Sequence, residues 1–184
     1  MAMSTAYLTD MFQERSWAKD TVLVLGASII IALFGPVALP LPFTPVPIAF
    51  QAHVILFLAV LLGSKRGSLA TLAFLGQGAI GLPVFAGCKG GILHLAGPTG
   101  GYLFGYVLAA YVTGYLIERS KERTVKSTLF AICMGNLAIY LAGLPWLSMY
   151  VGVNKAFFLG MLPFLGGDVV KIILSLRLLR SLRN

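Results

Sequence analysis

Charge is scarce in this chain. Asp, Glu, Lys and Arg make up 11% of its 184 residues, where a soluble domain carries about 25%. Cysteine is nearly absent too: Cys88 and Cys133 have no metal-ligand spacing around them, and His53 and His94 have no carboxylate, Cys or His at such spacing. Both histidines therefore read as structural, and no metal is expected. The phosphate-binding pattern G-x-x-x-x-G-K-[ST] is missing, which argues against ATP hydrolysis by that route. No Ser-His-Asp or Cys-His arrangement can be built. The chain reads as a non-enzyme without cofactor.

Apolar residues fill the space the charges leave. They amount to 58% of the chain, with a mean hydropathy of +0.90. Apolar surface on this scale calls for a lipid solvent, so an integral membrane protein is expected. The formal charge of +8 is spread thinly between apolar runs rather than gathered in a patch, which disfavours nucleic acid as a partner.

Turn signals divide the apolar sequence into six expected spans, near 22–39, 47–62, 68–83, 102–117, 127–147 and 157–182, in one domain over 1–184. Asp10, Glu14 and Asp20 precede the first span without a cleavable signal pattern, so residues 1–20 are expected to be a cytoplasmic segment and the first helix to be retained. Several spans fall short of the roughly 20 residues a bilayer requires. The Pro-rich stretch Pro36–Pro47 and the Gly-rich stretch Phe85–Gly101 are expected to help them across, buried in protein or lining a cavity.

Cations orient the bundle. With both termini cytoplasmic, the inner side receives Arg15, Lys19, Lys65, Arg66, Arg119, Lys121, Arg123, Lys126, Arg177, Arg180 and Arg183, and the outer side Lys89 and Lys155. Cys88 and Cys133 then fall on opposite sides, which argues against a disulfide. The fold class expected is all-α: a compact bundle of six transmembrane helices in the plasma membrane of a bacterial-type cell.

Lys171 alone among the cations sits inside an apolar stretch, three residues after Asp168, the last acidic residue of the chain. An ionised side chain in a membrane interior costs roughly 2.5–3.5 kcal/mol on insertion scales, so such residues are usually functional. Asp168 and Lys171 share a helix face. Two readings stand: a mutual ion pair that neutralises both, or a polar clamp in an outward cavity. Gly97-Pro98-Thr99-Gly100-Gly101-Tyr102 is either a tight turn or a ligand-bordering helix start. Gln51 and Asn136, amides in apolar runs, are open to a ligand or to helix–helix hydrogen bonds. Phe85, Tyr102, Tyr140 and Trp146 read first as packing or interfacial residues. Ser28 and Ala32 form a small-x-x-x-small pair for close helix packing, within this chain or with a partner.

Four blocks occur in order: Val46-Pro47-Ile48-Ala49-Phe50-Gln51, Gly81-Leu82-Pro83-Val84-Phe85-Ala86-Gly87, Gly97-Pro98-Thr99-Gly100-Gly101-Tyr102-Leu103, and Pro163-Phe164-Leu165-Gly166-Gly167-Asp168-Val169-Val170-Lys171. Together they resemble the BioY family, biotin-specific substrate-binding subunits of energy-coupling-factor (ECF) transporters. The resemblance implies a subunit that captures biotin from outside and delivers it inward with a transmembrane coupling protein and two ABC-type ATPases. It implies ligand contacts for Asp168 and Lys171, and a pocket bordered by Gly100, Gly101 and Tyr102. Gln51 joins them as a candidate, as does Lys89 for the substrate carboxylate. Ser28 and Ala32 stand where the family has an Ala-x-x-x-Ala docking motif, and Ala49 stands where it usually has Thr. A subunit for another vitamin and a self-sufficient secondary transporter are the alternatives.

Overall fold

The structure, a computed structural model, describes residues 17–120 and 124–166. Helix α1 spans Trp17–Phe34, and an eight-residue Pro-rich connector then separates strands β1 (Ala38–Leu39) and β2 (Ile48–Ala49). Helix α2 covers Gln51–Ala79, a short α3 Ile92–Leu95, α4 Gly100–Arg119, α5 Val125–Val151 and α6 Val153–Gly160. Helices α1, α2, α4 and α5 are long and apolar enough to cross a membrane.

Several expected boundaries move: the first helix begins at Trp17, inside the expected segment 1–20, and the sixth expected span, 157–182, lies largely outside the described residues. The first helix stops at Phe34 rather than near Leu39, because Pro36 disfavours helical geometry at Gly35 and Ala38 and Leu39 pair with Ala49 and Ile48. The second helix starts at Gln51 rather than Pro47, because Ile48 and Ala49 pair antiparallel with Leu39 and Ala38. This two-stranded ladder is an addition to the all-α expectation.

Helix α2 is two helices. Gly63 adopts φ 83°, ψ −178°, outside helical geometry, and breaks it into halves. In a straight helix residues eight apart lie about 12 Å from each other along the axis. Here a Cβ on Gly67 would stand 3.1 Å from Ala59 Cα, so the halves fold back on one another. The arms of this hairpin, 51–62 and 64–79, stand where the two spans 47–62 and 68–83 were expected, each shorter than the roughly 20 residues of a full crossing. Its second half is capped from another helix: Glu118 of α4 accepts from the Ser64 backbone N–H at 2.7 Å and from the Ser64 hydroxyl at 2.7 Å.

Helices α4 and α5 pack along their length, with α2 against α4 and α1 against α2. Glycines set the closest approaches. A Cβ on Gly114 would lie 2.3 Å from Ser64 N, and one on Gly101 2.2 Å from Trp146 Cβ. The core between these helices holds Ile55, Leu56, Ala59, Phe74, Ala109, Ala110, Ile132 and Leu147. Leu25, Ile29, Leu33, Leu108, Phe130 and Leu141 point outward and exposed, as lipid-facing side chains do.

The bundle has two unlike ends. One gathers Lys19, Lys65, Arg66, Arg119 and Lys126 with Asp20 and Glu118, and an Arg66–Asp20 ion pair ties α2 to α1 there. The other carries the connectors 35–50 and 80–99. There the Trp146 indole N–H donates to the Gly97 carbonyl at 2.9 Å, and the Tyr150 hydroxyl to that of Ala96.

Candidate functional site

At the connector end the helices leave a cavity of about 60 Å³. Its walls come from six places in the chain: Pro47 and Ala49 of the β2 segment, Gln51 and His53 at the start of α2, and Ala86, His94 and Thr99 of the Gly-rich stretch. Tyr102 and Tyr106 of α4, then Asn136, Ile139 and Tyr140 of α5, complete it, with Phe164 beyond α6. Most of the surface is apolar, with a few converging polar groups, as small-molecule sites are built.

Gln51 is the most informative of these. It is 2% exposed, and its Nε2 donates to the Tyr106 hydroxyl at 3.5 Å. Its Oε1 has no hydrogen-bond partner among the described residues. A buried acceptor left in that state costs about 1–3 kcal/mol, so its presence points to a ligand donor. Tyr102 is anchored differently: its hydroxyl donates to the Gly160 carbonyl at 2.9 Å and so ties α4 to the end of α6.

His94 forms the cavity wall nearest the connector surface. Its ring stacks on buried Phe85, centroids 5.4 Å apart and planes at 26°, and Phe85 meets Phe74 edge-on at 5.6 Å. Thr99 Oγ1 lies 3.5 Å from His94 Nε2. Burial, and then the neighbouring Lys89 cation, hold the imidazole below its ordinary pKa. His94 is therefore a neutral, amphipathic wall at physiological pH.

The residues singled out from sequence divide in their placement. Gln51 and Tyr102 line the cavity. Gly100 and Gly101 are buried beside it in a packing position, pressed on the Leu95 carbonyl and on Trp146. They let α4 start against α5, which aims Tyr102 inward. Lys89 is exposed, its backbone paired with Phe85 through N–H···O bonds of 2.8 and 3.3 Å. Ser28 is fully buried inside the protein: it donates to the Leu25 carbonyl at 2.8 Å and accepts from Gln77 Nε2 at 3.1 Å. Ala32 is half-buried against the same core. This pair thus packs on the chain's own second helix. Asp168 and Lys171 lie outside the described residues.

His53, His94 and Tyr106 are the wall residues that sequence reasoning passed over or read as structural. A signal existed for one of them. Tyr106 lies four residues after Tyr102, on the same helix face, as Tyr140 does after Asn136. The histidines had none, because what brings them to the cavity is the fold-back of α2 and the path of the connector. Among the described residues no group of three His, Cys, Asp or Glu is placed to hold a metal.

The family model that matches is that of the BioY family, over residues 3–184. The probable biotin transporter BioY of Pyrococcus horikoshii is 45% identical over 127 residues, 69% of this chain and 74% of that protein. The biotin transporter BioY of Rhizobium etli is 39% identical over 173 residues, 89% of this chain and 92% of its own length. A crystal structure of the S-component for biotin from an ECF-type ABC transporter superposes with a TM-score of 0.80. That match covers 90% of this chain and 91% of the other at 28% identity. With its family pattern running through almost the whole chain and its fold shared with a solved S-component, this protein belongs to the BioY family.

Proposed function

We propose that this protein is the biotin-capturing subunit of an ECF-type transporter in a bacterial-type plasma membrane, with both termini cytoplasmic. The observation that carries the reading is the mostly apolar cavity with the spare acceptor of buried Gln51 in it. Biotin matches that chemistry. Its fused rings are apolar, its ureido group donates and accepts, and its chain ends in a carboxylate. Gln51 Oε1 accepts from a ureido N–H, and Tyr102 and Tyr106 close on the rings. By family resemblance Asp168 accepts a second ureido hydrogen bond, and Lys171 or Lys89 meets the ureido oxygen or the carboxylate. Gly100 and Gly101 contribute by holding Tyr102 in place.

Orientation follows the cations: the end with Lys19, Lys65, Arg66, Arg119 and Lys126 faces the cytoplasm, and the cavity end faces outward. Ligand pockets run to roughly 300–1,000 Å³, and this cavity is about 60 Å³. A biotin-sized ligand therefore requires the cavity to widen or to extend into its open mouth. A separate coupling protein and two ABC-type ATPases supply the energy and dock against this chain; Ser28, being covered by the chain's own second helix, is not part of that contact.

Binding of labelled biotin to the purified chain in detergent is the test, with other vitamins as competitors. Tight, biotin-selective binding that falls roughly tenfold or more in Asp168→Asn is expected. Displacement by an unrelated vitamin at equal concentration would assign the chain another substrate. Biotin uptake by vesicles holding this chain alone, driven by an ion gradient, would remove the need for a coupling module.

A further inference from the structure

A second concavity lies at the opposite, basic end, on the outer surface where α1 meets the second half of α2. It is a groove of about 710 Å³, floored by Val24, Leu25, Leu69 and Ala73 and bounded at its mouth by Trp17, Asp20, Lys65 and Arg66. The floor is apolar and lies on the membrane-facing surface of two spans, Leu25 and Leu69 being exposed side chains. The mouth is cationic. Asp20 pairs with Arg66, which leaves Lys65 as a cation with no carboxylate partner among the described residues. Trp17, 93% exposed at the first described turn of α1, stands at the same level, where amphipathic aromatics mark the membrane–water boundary.

We propose that this groove binds an anionic glycerophospholipid of the surrounding leaflet. An acyl chain lies along Val24, Leu25, Leu69 and Ala73. The phosphate sits at Lys65, beside the Arg66–Asp20 pair, and Trp17 packs beside the glycerol region. Charge complementarity selects the occupant. Juxtamembrane cations attract anionic headgroups, and basic pockets between spans on the cytoplasmic side hold them specifically. A zwitterionic lipid supplies the same chain but no net charge for Lys65. Such a lipid braces the α1–α2 contact one helical turn nearer the basic end than the buried Ser28–Gln77 hydrogen bond, Ser28 following Val24 and Gln77 following Ala73 by four residues.

Native mass spectrometry of the purified full chain, with phosphatidylglycerol and phosphatidylcholine offered in equal amounts, tests this. Phosphatidylglycerol is expected to be retained in preference. Lys65→Glu is expected to cut its retention by about fivefold or more, and Lys65→Arg to preserve it. Leu69→Trp, which fills the floor without touching charge, is expected to displace the lipid as well. Biotin binding by Lys65→Glu, measured alongside, reports on folding and is expected to be unchanged. Equal retention of the two lipids overturns the proposal, as does phosphatidylglycerol retention unaffected by both Lys65→Glu and Leu69→Trp. Displacement of the lipid by inorganic phosphate alone also overturns it, by reducing the site to an anion contact. So does shielding of a Leu69→Cys thiol that depends on an added coupling protein rather than on phosphatidylglycerol.

Discussion

At the basic end of the bundle Glu118 reaches from α4 to both the backbone and the hydroxyl of Ser64, and Arg66 reaches Asp20 on α1. At the cavity end Gln51 is buried more deeply than either carboxylate, yet its Oε1 meets no partner among the described residues. Both ends sit on the same helices, one among exposed charges and the other buried. The difference is how their polar capacity is used. One end uses it internally, to fix where α1, the α2 hairpin and α4 meet. The other keeps an acceptor available at a cost in stability, as a binding site does.

The strongest way to break that comparison is to loosen the fixed end. Gly114→Ala places a Cβ 2.3 Å from Ser64 N and 2.4 Å from Gly63 C, backbone atoms that cannot turn aside. It is expected to lower stability by about 3 kcal/mol, read as a reduced thermal midpoint in detergent. Gly26→Ala is the control: nothing lies within 4 Å of the added carbon. In mid-helix that change is expected to be neutral or stabilising by up to about 1 kcal/mol.

Gln51→Leu sharpens the other half. It removes an acceptor that has no described partner and keeps the apolar bulk, so the thermal midpoint should hold or rise. Biotin affinity should fall by about tenfold, measured by equilibrium binding. A matching loss of stability would show instead that Gln51 serves the fold, and the two ends would then be alike. Glu118→Ala should do the reverse, lowering stability by about 1 kcal/mol through the lost cap while leaving biotin affinity unchanged.

The smallest effect is in pH. His94 in the folded protein titrates below its ordinary value of 6.5 because of burial and then Lys89. The unfolded chain therefore takes up this proton first as pH falls. The stability His94 contributes is complete above the unfolded value, declines as pH drops below it, and is lost once pH passes the folded value. A thermal midpoint that declines more steeply below pH 6.5 in the wild type than in His94→Gln is the expected result.

Much of this molecule was legible in the sequence, for reasons that are local. The fourth and fifth helices could be placed to within a few residues because apolar runs and Gly or Pro breaks act over one or two helical turns. The fourth, expected near 102–117, is Gly100–Arg119, and the fifth, near 127–147, is Val125–Val151. Gln51 and Tyr102 stood out as polar groups in apolar blocks, and both line the cavity. Ser28 illustrates what such reasoning misses. Small-x-x-x-small spacing marks a face for close packing, but it does not say which helix will occupy that face. Here Gln77, 49 residues later, does.

What the sequence by itself determined is the solvent and the parts. A chain so apolar and so poor in charge belongs in lipid, and its breaks set the helices. Only the tertiary structure decided which side chains converge. Gln51 meets Tyr106 across 55 residues, and Glu118 caps Ser64 across 54. These meetings depend on the fold-back at Gly63 and on glycines that set how closely and in what register the helices approach. Hydrophobic periodicity carries no record of register between distant helices, because a lipid-facing stripe and a helix-facing stripe are equally apolar.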